Sequence, residues 1–219
     1  MRFILIVVLA IFFSACSACS ESEDNPIILN DKQLNQKPDK KLVKEELSEA
    51  EIVNLLFLRE EEKLARDVYL YSYDKYKKNI FKNISESEQL HMDAVLLLIN
   101  KYQLKDPVLD DLGKFFNTDL QNLYDYLIDD LSSISIDGAL TAGAIIEDYD
   151  IHDISLFEEL TEKQDIDKVL ANLKCGSKNH LRSFIYQLNL KSIDYEPTYI
   201  SMEYFNEIIN SDYENCGKN

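Results

Sequence analysis

From residue 48 onward, apolar residues recur at alternating steps of three and four, the spacing of a single buried stripe on an α-helix. Four long segments carry the pattern. The first, about residues 48 to 74, reads Leu55, Leu58, Glu62, Ala65, Tyr69. The second, 79 to 102, reads Phe81, Ile84, Glu88, His91, Val95, Leu98, Tyr102. The third, 136 to 160, reads Ile136, Leu140, Gly143, Glu147, Asp150, Ile154, Phe157, and the fourth, 165 to 190, reads Ile166, Val169, Leu173, Ser177, His180, Phe184. Ser48-Glu49-Ala50-Glu51 is a capping box that opens the first segment. Thr118-Asp119-Leu120-Gln121 has the same form and predicts a short helix over 119–131, within a connection spanning 103–134. A last helix is expected after Ser201. No alternating strand-type run interrupts the series.

Turns near 74–79 and 163 make two helical hairpins, and the long connection between them is a crossover. That connectivity predicts an all-α fold, a ferritin-like four-helix bundle with short extra helices. Each stripe carries a polar interruption in its middle. An isolated carboxylate in a dry core costs several kcal/mol, of order 2–5, unless it is neutralised or partnered. Glu62 and Glu88 lie about equally far from the first turn, as do Glu147 and the Ser177-His180 pair from the second. At about 1.5 Å per residue, all four helices are then interrupted at one depth. A buried layer of carboxylates and imidazoles is the donor set that transition metals prefer, iron and manganese first, with zinc an alternative. The candidate ligands are Glu62, Glu88, His91, Glu147, Asp150 and His180. On the first helix Glu61 competes with Glu62, because it shares a face with Phe57, Leu64 and Val68. His152 falls off its stripe and is expected to be exposed. Arg66 and Asp67 either orient ligands or form a solvated face; Tyr69 and Tyr102 are read as packing residues.

The chain has 40 acidic against 23 basic residues, a formal net charge of −17. That argues against nucleic acid and against electrostatic docking on anionic lipid. Residues 1–15, MRFILIVVLAIFFSA, have one positive charge and then an apolar run too short to span a membrane comfortably, and read as a signal peptide. Small residues before Cys16 resemble a bacterial lipobox, with Phe13 a departure from the usual leucine, so Cys16 is the candidate lipidation site. Cys19 lies further from the run, and an ordinary signal peptide is the alternative. A lipidated Cys16 would make this a cell-envelope lipoprotein held to the membrane by its anchor only. Residues 16–46 are a polar tether, 47–212 the folded domain, and 213–219 a tail. In an exported chain, Cys175 and Cys216 are most simply a disulfide pair, with a metal role for Cys175 as the alternative.

The stretches Arg59-Glu60-Glu61-Glu62-Lys63-Leu64-Ala65-Arg66-Asp67-Val68-Tyr69 and Ile80 to Met92, with Gly143 to Ile151 and Gly176 to Phe184, resemble the prokaryotic ferritin-like family known as domain of unknown function 2202. The resemblance covers about residues 50 to 205. The first helix is also similar to that of rubrerythrin, whose Glu-x-x-Ala-Arg-x-x-Tyr falls here on Glu62, Ala65, Arg66 and Tyr69. This implies Glu62 rather than Glu61 as ligand, with Glu88, His91 and Glu147 matching the di-iron pattern. The fourth helix departs from it. Where Glu-x-x-His is expected, the chain has Ser177-Lys178-Asn179-His180, so one bridging carboxylate is missing; Asp150 stands in for it, or the site holds a single ion. No pair of Cys-x-x-Cys motifs is present for an iron–sulfur relay. The resemblance implies one or two iron ions and oxidation of Fe(II) by oxygen or peroxide. The alternatives are a metal-sequestering lipoprotein without turnover and a structural interaction module.

Overall fold

Ser48 begins the ordered helical part as its sequence requires. Its hydroxyl accepts from the Glu51 amide at 3.2 Å, and the Glu51 carboxylate accepts from the Ser48 amide at 2.8 Å, closing a capping box. The computed structural model describes residues 46–217. The signal peptide, Cys16, Cys19 and nearly all of the tether therefore lie outside the described residues. α1 (Glu49–Tyr76) and α2 (Asn79–Lys101) are joined by two residues, and α4 (Ile136–Leu160) and α5 (Gln164–Asn189) by three. Between the pairs lie α3 (Thr118–Tyr126) and a π-helical turn at Leu127–Ser132, and α6 (Met202–Asn210) follows α5. The described residues are all-helical, without a strand, and none of their helices is long and apolar enough to cross a membrane.

α1 packs along α2 and α4 along α5, while α1 also meets α4 and α2 meets α5. Two short turns thus bring four long helices together, as their stripes predict. α5 departs slightly. Its apolar stripe runs through Ile166, Leu170 and Leu173, with Val169 only half-buried.

The short-helix expectation needs a correction. Asn117, not Thr118, caps α3: its side chain accepts from the amides of Asp119 and Leu120 at 2.8 and 3.2 Å. Gln121 turns away from the cap to the crossover, accepting from Phe115 N and donating to Gly113 O. Asn is as good a cap as Thr, and here the preceding loop puts it in extended backbone. The predicted helix also does not run on evenly to 131. From Leu127 to Ser132 the chain widens into the π turn, where Gly138 of α4 comes so close that a Cβ would sit 2.3 Å from Leu131 O.

Two apolar clusters make the core. One gathers Leu64, Val68, Tyr69, Phe81, Ile84, Leu140, Phe184 and Leu188. The other gathers Leu55, Leu58, Val95, Leu98, Ile154, Phe157, Ile166 and Leu173. Every long helix contributes to both, and each carries buried polar side chains in its middle: Glu62, Glu88 with His91, Glu147 with Asp150, and Ser177 with His180. The crossover lies against α1, held by that helix's own charges. Arg59 pairs with Asp106, Glu60 accepts from the amides of Phe116 and Asn117, and Lys63 donates to Asp67, Asp111 O and Lys114 O.

At the other end, the tail is fixed on α5. Cys175 and Cys216 form a disulfide, with Cα atoms 5.6 Å apart, and Glu214 pairs with Lys178 and Arg182. Closing a loop of 41 residues in this way restricts the unfolded chain, by about 3–4 kcal/mol in the chain-entropy picture.

Candidate metal centre

Four of the interrupting side chains come from the stripes by helical spacing alone. Glu88 and His91 are one turn apart on α2, so both point between the helices, where Glu62 of α1 meets them from one side and His180 of α5 from another. His91 Nδ1 lies 2.7 Å from Glu88 Oε2 and 3.1 Å from Glu62 Oε2. His180 Nδ1 lies 2.8 Å from Glu88 Oε1 and 3.4 Å from Glu147 Oε2. The result is two donor triads, Glu62–Glu88–His91 and Glu88–Glu147–His180, each with its donor atoms within 4.8 Å of one another. Glu88 belongs to both, giving one oxygen to each imidazole. The imidazole rings stack with centroids 5.6 Å apart.

Several of these atoms have the donor's chemistry without a hydrogen bond to use it. Glu62 Oε1, Glu88 Oε1 and His180 Nδ1 are buried with no hydrogen-bonding partner. The last two are the pair at 2.8 Å, so their approach is close but off the angle of a hydrogen bond. Convergent lone pairs that do not satisfy one another fit a shared cation. The surroundings orient the ligands in the way metal sites need. His180 Nε2 is 3.0 Å from Ser87 Oγ, and the Tyr69 hydroxyl donates to Glu147 Oε1 at 2.5 Å. Gly176 leaves room for His91: a Cβ there would lie 2.5 Å from its Nε2. Carboxylate oxygens with imidazole nitrogens, buried and in part without hydrogen-bond partners, have the composition and spacing to hold a metal ion.

Electrostatics tell the same story. Burial pushes Glu62 up to about 7, with His91 pulling against it and Glu88 reinforcing it. Burial likewise raises Glu147 and, well above the usual carboxylate range, Asp150. Glu88 goes the other way. Burial would raise it too, but the imidazoles of His180 and His91 hold it well below that range. For His180, burial works against the charged form, yet Glu88 and Glu147 lift it to about 10. The metal-free cluster therefore keeps protons that a cation would displace, as expected where ligands must give them up to bind.

Asp150 lies in neither triad. Its Oδ2 accepts from Ser177, the residue at the position of the missing glutamate, and its Oδ1 has no partner. Glu61 and Glu62 are both buried, but only Glu62 joins a triad; the carboxylate oxygens of Glu61 have no hydrogen-bond partner. Asp67 and Arg66 serve neither of the roles expected of them. Asp67 is fully buried, accepting from Lys63, Arg66 and Gly113 N, and so fixes the crossover. His152 is half-buried near Tyr199, with ring centroids 6.4 Å apart, rather than exposed. Tyr102 bonds Asp165. Tyr69 does more than pack, since its hydroxyl reaches a candidate ligand. Its place on the stripe next to Glu62 was the available signal, but nothing in the spacing says where a hydroxyl will end. Cys175 is committed to the disulfide.

With this geometry in hand, comparison with known proteins gives three findings. The model of an uncharacterized protein domain, DUF2202, matches residues 51–212. The uncharacterized protein MJ0754 of Methanocaldococcus jannaschii is 48% identical over 174 residues, which is 79% of this chain and 94% of that protein. The crystal structure of the hypothetical protein MJ0754 from Methanococcus jannaschii superposes with a TM-score of 0.75, covering 77% of this chain and 96% of that one.

Proposed function

The chain belongs to the DUF2202 family, and from that premise and the paired triads we propose that it is a metal-binding protein with a ferritin-like four-helix bundle, which oxidises Fe(II) with oxygen or peroxide. The observation that carries this reading is Glu88, one buried carboxylate shared by two imidazoles and two further carboxylates. Glu62, Glu88 and His91 would hold one ion, and Glu88, Glu147 and His180 a second. Iron bound there supplies the electrons that reduce the oxidant. The protein's own part is to keep both positions in one dry layer, to orient His180 through Ser87 and Glu147 through Tyr69, and to exclude bulk water with the two apolar clusters. Manganese and zinc suit the same donors.

The rival within the same chemistry is sequestration without turnover. It is favoured by Ser177, whose hydroxyl ties up Asp150 instead of supplying a fourth-helix carboxylate. Metal analysis of the purified protein should find about one or two transition-metal ions per chain, with the ions of both triads lost in Glu88→Ala, since the ligands must act together. Aerobic Fe(II) oxidation that disappears in the same variant supports the enzyme. Tight metal without oxidation selects the binder, and no metal at all overturns both. For the amino-terminal part we propose removal of residues 1–15 and lipidation of Cys16, making a bacterial cell-envelope lipoprotein. The mass of the mature N-terminal peptide tests it.

A further inference from the structure

Between Leu173 and Leu181, α5 buries no apolar side chain. Its inner face there is Gly176, Ser177 and His180. Gly176 lies against the His91 ring, Ser177 bonds Asp150, and His180 belongs to a triad. Glycine, serine and asparagine are weak helix formers, so the stretch has little of its own to hold it. Support comes from the opposite side, where residues 211–217 run along the outer face of the same turns. Glu214 accepts from Lys178 and Arg182 at 2.8 and 2.9 Å, and Arg182 also donates to Ser211 at 2.7 Å. The Glu214 main chain exchanges two hydrogen bonds with the Asn179 side chain, at 2.9 and 3.0 Å, and Gly217 N reaches Asn172 at 3.2 Å. No side chain of 211–217 joins either apolar cluster, and Tyr213 is 61% exposed. Polar bonds so near the surface are individually weak. The Cys175–Cys216 disulfide is what secures this strap, and it is anchored on the residue directly before Gly176. Both cysteines are half-buried rather than sealed in the core, within reach of a small reductant.

We propose that this disulfide is a redox-controlled clasp on the metal layer. Intact, it holds α5 where His180 completes the Glu88–Glu147–His180 triad; reduced, it frees residues 211–217 and loosens that triad's hold on its cation. The inference rests on the reading that the triads bind metal. A dithiol reductant carries out the step. One of its thiolates attacks a sulfur of the Cys175–Cys216 bond, which breaks as a mixed disulfide forms, and its second thiolate then displaces the protein sulfur. Two electrons pass to the two cysteines, each takes up a proton, and the dithiol leaves as its own disulfide. The other triad draws Glu62, Glu88 and His91 from α1 and α2 alone, so it responds less. Reduction thereby releases one ion in preference to the other.

Co2+ titration of the full-length protein, read by visible absorption, tests the clasp. The oxidised chain is compared with one reduced by a phosphine, which takes the oxygen of a water as its oxide and is removed anaerobically before metal is added. Oxidised wild type should bind two ions, and reduction should weaken one of them at least about tenfold while the other changes little. Cys216→Ser should behave like reduced wild type and be indifferent to the phosphine, which separates this bond from Cys16 and Cys19. Cys175→Ser guards against one variant that misfolds, and helical circular dichroism checks both. A metal-free readout is amide exchange, which should quicken over 174–180 on reduction and stay unchanged around Leu55–Leu58. A single ion that weakens, with exchange faster only over 174–180, would place that ion in the α5 triad and support the clasp. Equal affinities in both redox states would overturn the clasp and leave the triads standing. Equal weakening of both ions, or faster exchange throughout the bundle, would overturn it as well, because the disulfide then only stabilises the fold as a whole. No uptake by oxidised wild type would overturn the triads and the clasp together.

Discussion

Within nine residues, Arg59 to Asp67, α1 presents buried charge in two directions, and the two faces treat it oppositely. Toward the crossover everything is matched. Lys63 has three acceptors, two of them main-chain carbonyls, and it also lies 4.5 Å from the Phe115 ring centroid. Glu60 caps two amides, and Arg59 reaches Asp106 and Met92 O. Toward the interior, Glu61 has no partner and Glu62 has one oxygen bare. The same helix can clearly satisfy a buried charge when structure alone is at stake. Leaving the interior face unsatisfied is then a property of that face, and under the proposed function it is where binding rather than folding uses the polar groups.

Breaking the matched face should have the largest effect. Lys63→Met leaves the buried Asp67 with only Arg66 and the Gly113 amide and takes the donor from Asp111 O and Lys114 O, and we expect a loss of about 3–5 kcal/mol in chemical denaturation, as for breaking a buried pair, with metal stoichiometry unchanged in whatever protein remains folded. The unmatched face should respond to metal instead. At a hundredfold excess over the dissociation constant, a bound ion should add about 2.7 kcal/mol, lost on chelation and absent in Glu88→Ala. If Lys63→Met abolished metal binding in a folded protein, or if metal left stability unmoved, the two faces would not differ in kind.

Smaller changes sharpen the contrast. Gly176→Ala pushes a methyl against His91, where overpacking costs about 1–3 kcal/mol, and metal affinity should fall with it. Calorimetric titration reads both. Tyr69→Phe should cost about 1 kcal/mol of stability, through the hydrogen bond lost to Glu147, and at least about tenfold in affinity. An unchanged affinity would reduce Tyr69 to the packing residue its stripe suggests.

The interior face was legible in the sequence because helical periodicity is a local rule. Glu62, Glu88, His91, Glu147 and His180 each fall on a 3–4 stripe, and equal distances from the turns bring them to one level. The matched face was not legible. Lys63, Glu60 and Asp67 are satisfied by Asp111 O, Phe116 N and Gly113 N, roughly fifty residues away, through a loop whose course no periodicity specifies. The sequence offers Glu61 only as a rival to Glu62: a stripe has one phase, and Glu61 belongs to a second one, shared with Phe57, Leu64 and Val68. Asp150 sits on the stripe, yet its bond to Ser177 depends on how α4 and α5 rotate against each other, which spacing leaves open.

The division of the core into two apolar clusters carries a consequence for how the molecule opens. Side chains of one cluster gain little from the other, because the polar layer keeps them apart, so the helices themselves are the main thread of cooperativity between the halves. In the metal-free chain, amide hydrogens in the Leu55–Leu58 half of α1 and in its Val68–Tyr69 half can exchange through separate openings, each with its own free energy. Ions in the two triads, whose ligands together come from all four long helices, would tie the two openings into one, and their exchange rates should converge as the layer fills.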